Sequence, residues 1–467
     1  MKFLDRTAEL DRLDGLVKRR TAGLAALWGR RRVGKSRLLM EWSARNGGVY
    51  TVADVSAAAV QRRYFAEAVS AKLTGFNDVE YPDWGSLLRR LSSDARACGW
   101  KGQLILDEFP YLVMGTPSLP SVLQNWVDRE RETDGLLAVI AGSSQRMMQG
   151  FVLDESAPLY GRASEAFALR PLPPGWLAEA LGGHDPVAVI EAYSVWGGIP
   201  RYWELAQPFG MALDDAVDAL VLDPMGPLHT EPDRLLLEET PSALSLRPLL
   251  DVIGGGSNRV SEMAGRLGCP VTSLARPLAR LQELGIVVRE TPFGESEKTC
   301  KRALYKISDP FFAFWFRVVA SRRGFLAGAA RHARLAVWHS FKQEIVSRVW
   351  EDLCRRAVPI LAAEKMGNGA WQPAARWWQA NLPEWDIVSA SVDGRCGLVG
   401  EAKWSAKPYG ENDVCGIGSR LVSRALPFGG PDRVERWVFV PSAPKSGRRK
   451  ADGWSVVDAA SVLSCLR

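Results

Sequence analysis

Residues 24–45 run Leu24-Ala25-Ala26-Leu27-Trp28, then Gly29-Arg30-Arg31-Arg32-Val33-Gly34-Lys35-Ser36, then Arg37-Leu38-Leu39-Met40-Glu41-Trp42-Ser43-Ala44-Arg45. A short apolar run, a loop bounded by glycines and a segment with apolar residues at helical spacing make a strand, a loop and a helix. The loop matches G-x-x-x-x-G-K-[ST] in the context that this pattern requires. Glycines let backbone N–H groups turn inward around phosphate oxygens, and the helix N-terminus adds its dipole. On this reading Gly29 to Arg37 cradle a nucleoside triphosphate, Lys35 reaches its β- and γ-phosphates, and Ser36 ligates magnesium. The expected ligands are therefore ATP and Mg2+.

Downstream, Leu104-Ile105-Leu106-Asp107-Glu108 is an apolar strand ending in two acids, the pattern of a Walker B strand. There Asp107 would hold magnesium through water, and Glu108 would orient the water that attacks the γ-phosphate. An Asp-Glu pair at a strand end is common by itself; the phosphate loop ahead of it gives it meaning. The apolar run 136–142 ends in Ser143-Ser144, where a polar sensor would meet the γ-phosphate. Arg162 either supplies charge to the transition state, in cis or to a neighbour in a homo-oligomer, or forms a surface salt bridge. Apolar runs at 103–107 and 136–142 alternate with helical stretches at 84–98 and 119–132. That alternation predicts an α/β fold with a parallel sheet.

From 174 to 232 the pattern is mostly helical and predicts a small lid, punctuated by Gly197, Gly198 and Pro200. Residues 233–308 give helices, a short turn, a further helix and then two strands around a polar turn, the order of a winged helix. Arg276 and Arg280 share a face of the helix 272–284, and the hairpin adds Arg289, Lys298, Lys301 and Arg302. That set suits a duplex footprint, and an interdomain contact module is the competing reading. Pro277 removes a backbone donor from this helix, which matters little in a first turn. An aromatic stretch, 309–325, leads into a last segment, 326–467, with a long helix over 333–357 and a β-hairpin over 384–404.

In that hairpin Asp393-Gly394 is a favoured two-residue turn, and as a type I′ turn it sets Asp386 opposite Glu401. Facing carboxylates repel unless a cation lies between them. Period two places Lys403 on the face of Glu401. An E-x-K strand is also a common surface pair.

Taken in order, GRRRVGKS, LILDEFP, AGSSQRMM, PLYGR and GGIPRYW resemble the archaeal-type ATPase family within the AAA+/STAND group of P-loop proteins, over about half of the chain. The resemblance implies a P-loop NTPase sheet with a helical lid, in which the glycines and Pro200 of GGIPRYW are structural. Several members carry a winged helix and a C-terminal α/β domain related to PD-(D/E)xK nucleases, the restriction-endonuclease-like fold. Residues 309–316, DPFFAFWF, resemble the junction in those proteins. The resemblance then implies a metal site of Asp386, Glu401 and a helix acid, Glu351, with Glu344 as competitor on the same helix face. Lys403 would stabilise charge at phosphorus. Trp385 stands where the motif's name expects proline. Domains of that superfamily often keep the fold after losing cleavage. One expected function is an ATPase whose nucleotide state controls a Mg2+-dependent half that cleaves DNA, or less expectedly RNA. The alternative is a STAND-like regulatory ATPase that cleaves nothing.

The 467 residues outgrow one hydrophobic core. The expected divisions are an ATPase core at 1–173, a lid at 174–232, a winged helix at 233–308, a junction at 309–325 and a nuclease-like domain at 326–467. With 47% hydrophobic and 24% charged residues the chain is not disordered. Its 14 lysines against 45 arginines suit phosphate recognition, yet a GC-rich genome raises arginine everywhere, so composition does not name a partner. No run of about 18 apolar residues occurs and the N-terminus lacks a signal-like stretch, so a cytoplasmic protein without a membrane partner is expected. Seven scattered cysteines without C-x-x-C and four histidines point away from disulfides and zinc. Arg376-Trp377-Trp378 and the tail residues Lys445, Arg448, Arg449 and Lys450 offer stacking and phosphate contacts, or a buried patch and a solvated charge run.

Overall fold

Residues 2–133, 135–239, 245–367, 369–379, 382–427, 429, 431–443 and 453–467 are described by the structure, a computed structural model. They fall into two compact units, residues 3–172 with 199–201, and chiefly residues 173–198 with 202–467. The basic tail residues 445 and 448–450 lie outside the described residues.

The first unit is a parallel α/β sheet. Its elements are α1 (Thr7–Lys18), β1 (Gly23–Trp28), α2 (Lys35–Asn46), β2 (Val49–Val52), α3 (Ala58–Ser70), α4 (Trp84–Cys98), β3 (Gln103–Asp107), α5 (Phe109–Gly115), α6 (Leu119–Glu132), β4 (Leu137–Gly142), α7 (Gln145–Val152) and β5 (Ala163–Ala168). The strands lie in the order β2-β3-β4-β1-β5, and each neighbouring pair is parallel. Strands β1, β3 and β4 are buried at every residue, which is why their sequences are unbroken apolar runs. Helices α4 and α6 begin and end where the periodicity predicts. Asp83 caps α4 by accepting from the Ser86 N–H at 2.7 Å. Between them lies a buried carboxylate, Glu130, which accepts from the Leu136 N–H at 2.7 Å and from the Ser92 hydroxyl. That backbone bond fixes the entry into β4.

The second unit opens with helices α8 (Leu177–Leu181), α9 (Pro186–Trp196), α10 (Pro200–Ala206), α11 (Leu213–Val217) and α12 (Glu231–Glu239), α10 beginning in the first unit. It continues with α13 (Arg247–Gly254), α14 (Val260–Leu267), α15 (Ala275–Glu283), the antiparallel hairpin β6 (Val287–Glu290) and β7 (Leu304–Ile307), and the helices α16 (Pro310–Val318), α17 (Arg323–Gly328) and α18 (Arg331–Met366). Last come β8 (Ala375–Trp377), β9 (Trp385–Ala390), β10 (Cys396–Ala402), α19 (Glu411–Ser423), β11 (Arg433–Phe439), β12 (Ser455–Val457) and α20 (Ala459–Cys465). The five strands form a mixed sheet in the order β12-β11-β10-β9-β8, antiparallel at β8/β9/β10 and parallel at β10/β11/β12.

The aromatic stretch is α16, buried at six of its nine residues, with Arg317 its one charge. Its Trp315 Nε1 donates to the His229 carbonyl at 2.8 Å, and its Phe314 ring meets Trp338 edge-on at 5.2 Å. Arg334 forks onto Asp218 at 2.7 and 2.8 Å, and the Trp338 indole donates to Asp214 at 2.9 Å. The helices of 174–232, the aromatic helix and the long helix α18 thus build one body.

Two local expectations differ from the structure. The turn of the β9–β10 hairpin closes one residue early: the Gly394 N–H donates to the Ser391 carbonyl at 2.9 Å, and Gly394 takes φ +73°. Asp393 accepts from the Arg395 N–H at 3.1 Å, a local side-chain turn that replaces the type I′ geometry. The register nevertheless survives, because pairs run from Gly397 with Ala390 to Gly400 with Ile387, and one step further sets Asp386 opposite Glu401. The helix over 272–284 begins as a 3-10 turn at Val271–Leu274, and Pro277 is the third residue of α15, where its missing donor costs no helix bond.

Trp350 in α18 is fully buried, 5.8 Å from the Trp404 ring. Trp350→Ala is expected to cost about 3–5 kcal/mol. Thermal unfolding should show the drop in the transition of the second unit.

Candidate functional site

The loop 29–34 joins the buried strand β1 to α2, and its backbone can be made only with its own glycines. Gly29 has φ +155°, and a Cβ there would stand 2.7 Å from the Leu169 carbonyl oxygen. Gly34, the residue before α2, has φ +98° and faces the Pro200 ring, which gives the proline of GGIPRYW its place. Lys35 is buried, and its ammonium donates to the carbonyls of Gly29 at 2.7 Å and Arg30 at 3.2 Å. A buried ammonium that donates to carbonyls at the mouth of a glycine loop fits a phosphate. Arg31 donates to the Tyr111 hydroxyl at 2.8 Å, Arg32 carries φ +68°, and Val33 is fully buried under the loop.

Asp107 ends β3 completely buried, accepting from the Tyr50 hydroxyl at 2.7 Å and from the Glu108 N–H at 2.9 Å. Burial together with the Asp107 charge holds the Tyr50 phenol well above the usual range. The Asp107 carboxylate and the Ser36 hydroxyl, in the first turn of α2, are hard oxygen donors of the kind that Mg2+ takes, so the pair fits the ion. Glu108 takes a left-handed φ of +52°, strained for a residue with a side chain, and accepts from the Ser143 N–H at 3.3 Å and from the Ser143 hydroxyl. Ser144 precedes α7 as its N-terminal boundary residue. Arg162 forks onto Asp128 at 2.9 and 3.1 Å and donates to the Pro158 carbonyl at 3.1 Å, the salt-bridge arrangement.

In the second unit the hairpin and α18 bring the expected acids together. Lys403 lies 2.6 Å from one Glu401 oxygen and 3.8 Å from Asp386, and Arg424 holds the other Glu401 oxygen at 2.9 Å. Asp386 accepts from the Ala402 N–H at 3.1 Å. Burial, then the charge of Glu401, raises the Asp386 carboxyl above its usual range; burial, then Asp386, pushes Glu351 up to about 7. Glu344, the competitor, is bound by Arg317 at 2.8 Å and Arg348 at 2.7 Å. With both Glu401 oxygens taken by cationic side chains, and no group of three His, Cys, Asp or Glu among the described residues disposed to hold a metal, the set as it stands does not fit a divalent ion.

Beside this cluster runs a chain of charges that the sequence did not announce. Lys306 of β7 bonds Glu290 at 3.3 Å and Asp352 at 2.7 Å, and Arg355 joins Asp352 to the Asp386 carbonyl at 2.9 Å. Lys306 and Arg355 hold the half-exposed Asp352 carboxyl far below its usual range. The Phe293 N–H donates to the Arg376 carbonyl at 2.8 Å, and Arg302 reaches the Trp378 carbonyl at 3.2 Å. The expected duplex footprint is accordingly divided. Arg289 bonds carbonyls of its own hairpin, Arg280 pairs with Glu283, and Arg276, Lys298 and Lys301 remain exposed. Trp378 is buried and Arg376 pairs with Glu384 at 3.0 Å, which answers the stacking expectation with the buried-patch reading.

Sequence reasoning missed Arg6 and Tyr50. Arg6, buried at 4% exposure, donates to the carbonyls of Val33 and Arg170, each at 2.8 Å. An arginine before the first helix carries no motif, and a tyrosine on β2 reads as an ordinary strand residue.

Arg6→Met keeps the stem and removes both carbonyl contacts. It should weaken nucleotide affinity about tenfold, roughly the loss of one charge-assisted bond behind the loop, measured by titration with a fluorescent ATP analogue. Glu351 has a folded pKa, about 7, above the ordinary value of 4.5, so its ionisation opposes folding: nothing is lost at low pH and the full cost is present above about 7. In EDTA, Glu351→Gln should melt with wild type near pH 4.5 and increasingly above it as pH rises to about 8.

Residues 3–205 match the model of a family described as an ATPase domain predominantly from Archaea. Residues 315–414 match a second, described as Archaea bacterial proteins of unknown function. The uncharacterized protein MJECL04 of Methanocaldococcus jannaschii is 26% identical over 448 residues, covering 94% of this chain and 95% of that protein. Among solved structures, the Walker-type ATPase PABY2304 of Pyrococcus abyssi is similar with a TM-score of 0.53 and 20% identity, covering 68% of this chain and 96% of that one. The Aeropyrum pernix ORC2 protein, solved in ADPNP-ADP complexes, has a TM-score of 0.44 and 15% identity, covering 73% and 95%. No helix among the described residues is long and apolar enough to cross a membrane. The glycine loop with its buried lysine, the strand ending in Asp107 and the family match agree: residues 3–205 are a P-loop ATPase domain.

Proposed function

We propose that the nucleotide state of this ATPase controls a nucleic-acid-directed half, winged-helix-like over 233–308 and nuclease-like over 326–467, with DNA the partner in preference to RNA. Bound ATP would take the Lys35 ammonium from the carbonyls of Gly29 and Arg30 to its phosphates. Ser36 and Asp107 would hold Mg2+, which would supply charge that neutralises the phosphates. Glu108, released from Ser143, orients the attacking water.

The observation that carries the reading is the meeting of Asp386, Glu401 and Lys403 on one hairpin, beside Glu351, in a chain that also holds the phosphate loop. Phosphodiester cleavage there requires Arg424 and Lys403 to leave Glu401. Their present bonds favour the second reading, a STAND-like regulatory ATPase whose last domain is a contact surface.

Incubating the protein with supercoiled plasmid, Mg2+ or Mn2+ and ATP separates the two. Lys35→Ala should lower ATP turnover by at least a hundredfold, and Asp386→Ala should abolish nicking with turnover intact. Nicking that survives Asp386→Ala combined with Glu401→Ala removes the site assignment; reproducible absence of nicking in wild type leaves the regulatory reading.

A further inference from the structure

Asp107 is completely buried at the end of β3, where the direction of its carboxylate is set by the donors that it meets. One donor reaches each oxygen: the Glu108 N–H bonds Oδ1 at 2.9 Å and the Tyr50 hydroxyl bonds Oδ2 at 2.7 Å. The two differ in what holds them. The N–H belongs to the next residue along β3, whereas the phenol comes from β2 and ties the carboxylate to a second strand. A hydroxyl that donates to a carboxylate at this distance makes one of the stronger kinds of hydrogen bond. Two donors do not exhaust a carboxylate, which has about four acceptor sites, so Asp107 keeps capacity for a cation.

The strand that carries Tyr50 is itself fixed against β3. Tyr50 pairs with Ile105 and Val52 with Asp107, the Thr51 hydroxyl donates to the Ile105 carbonyl at 2.9 Å, and the Ala53 N–H donates to the Asp107 carbonyl at 3.0 Å. Side chains on a strand repeat their face every second residue, so Tyr50, Ile105 and Asp107 share one face of the sheet. The phenol must reach two residues along that face, about 7 Å at roughly 3.3 Å per residue. Tyrosine spans that offset, and serine or threonine at the same position would fall short. The hydroxyl is thus placed by strand register.

We infer that Tyr50 is a positioning residue of the ATPase site: its hydroxyl fixes the direction of the Asp107 carboxylate, and thereby sets how much Mg2+ adds to nucleotide affinity. The inference rests on the reading of Asp107 as a residue that holds the ion. Without the hydroxyl, a buried Asp107 oxygen loses its partner, and the carboxylate turns toward other donors. Tyr50 acts through Asp107, so the loss of the hydroxyl and the loss of the carboxylate do not add.

Titration of the full chain with a fluorescent ATP analogue, once in EDTA and once in Mg2+, tests it. The readout is the ratio of the two affinities, which needs no turnover. Tyr50→Phe keeps the ring and should lower the ratio about tenfold, roughly the loss of one bond to a charged group. Affinity in EDTA should stay at the wild-type value, which a tyrosine that only supports the fold would not allow. In an Asp107→Asn background, Tyr50→Phe should lower the ratio no further. An unchanged ratio in Tyr50→Phe, an equal loss in EDTA, or a further tenfold fall in the Asp107→Asn background overturns the role of Tyr50 and leaves the reading of Asp107 standing. If Asp107→Asn alone keeps the wild-type ratio, that reading fails and the role of Tyr50 falls with it.

Discussion

The buried guanidinium of Arg6 holds the phosphate loop from behind by two backbone carbonyls, Val33 inside the loop and Arg170 after β5. Burial depresses its pKa, and Glu9 at 3.0 Å opposes the shift, so the charge is kept where water is scarce. A loop that must point its N–H groups inward presents its carbonyls outward, and those carbonyls need donors. Arg6 serves Val33 and Lys35 serves Gly29 and Arg30. The loop is therefore shaped by side chains of its own unit, and a desolvated lysine has less ordering entropy to lose on binding a phosphate.

Beside this loop each of the two carboxylates at the end of β3 is restrained by a hydroxyl. Tyr50 restrains Asp107, and Ser143 restrains Glu108, whose backbone is itself in the left-handed region. Strain of this kind persists only where neighbours over-determine it, and here β3, α5 and the Ser143 bonds do so. The Glu108 carboxylate is thus held by two bonds from one residue, Ser143.

The second unit manages charge differently. Its acids are matched by arginine and lysine in continuous chains, Glu290–Lys306–Asp352–Arg355 and Asp386–Lys403–Glu401–Arg424. Removing Asp352 would leave the buried Arg355 without its nearest carboxylate, which costs more than the pair contributes. The two-stranded hairpin and the last sheet are tied by these bonds, so the hairpin's cations serve the protein before any nucleic acid.

The sequence by itself determined the elements whose cause is local. The phosphate loop follows from its glycines and lysine, β1, β3 and β4 from unbroken apolar runs, α4 and α6 from periodicity, and the facing of Asp386 and Glu401 from alternation along a hairpin. Even the wrong turn type left the register intact, because an even change in loop length preserves the pleat. Tertiary structure alone decided what those side chains meet. Glu351 rather than Glu344 joins the cluster because Arg317, distant in sequence, takes Glu344. Arg162 meets Asp128, Arg424 meets Glu401, and Arg6 finds a carbonyl far along the chain, on residue 170. Hydrogen bonds and ion pairs between segments remote in sequence depend on three-dimensional approach, and no period or spacing records it.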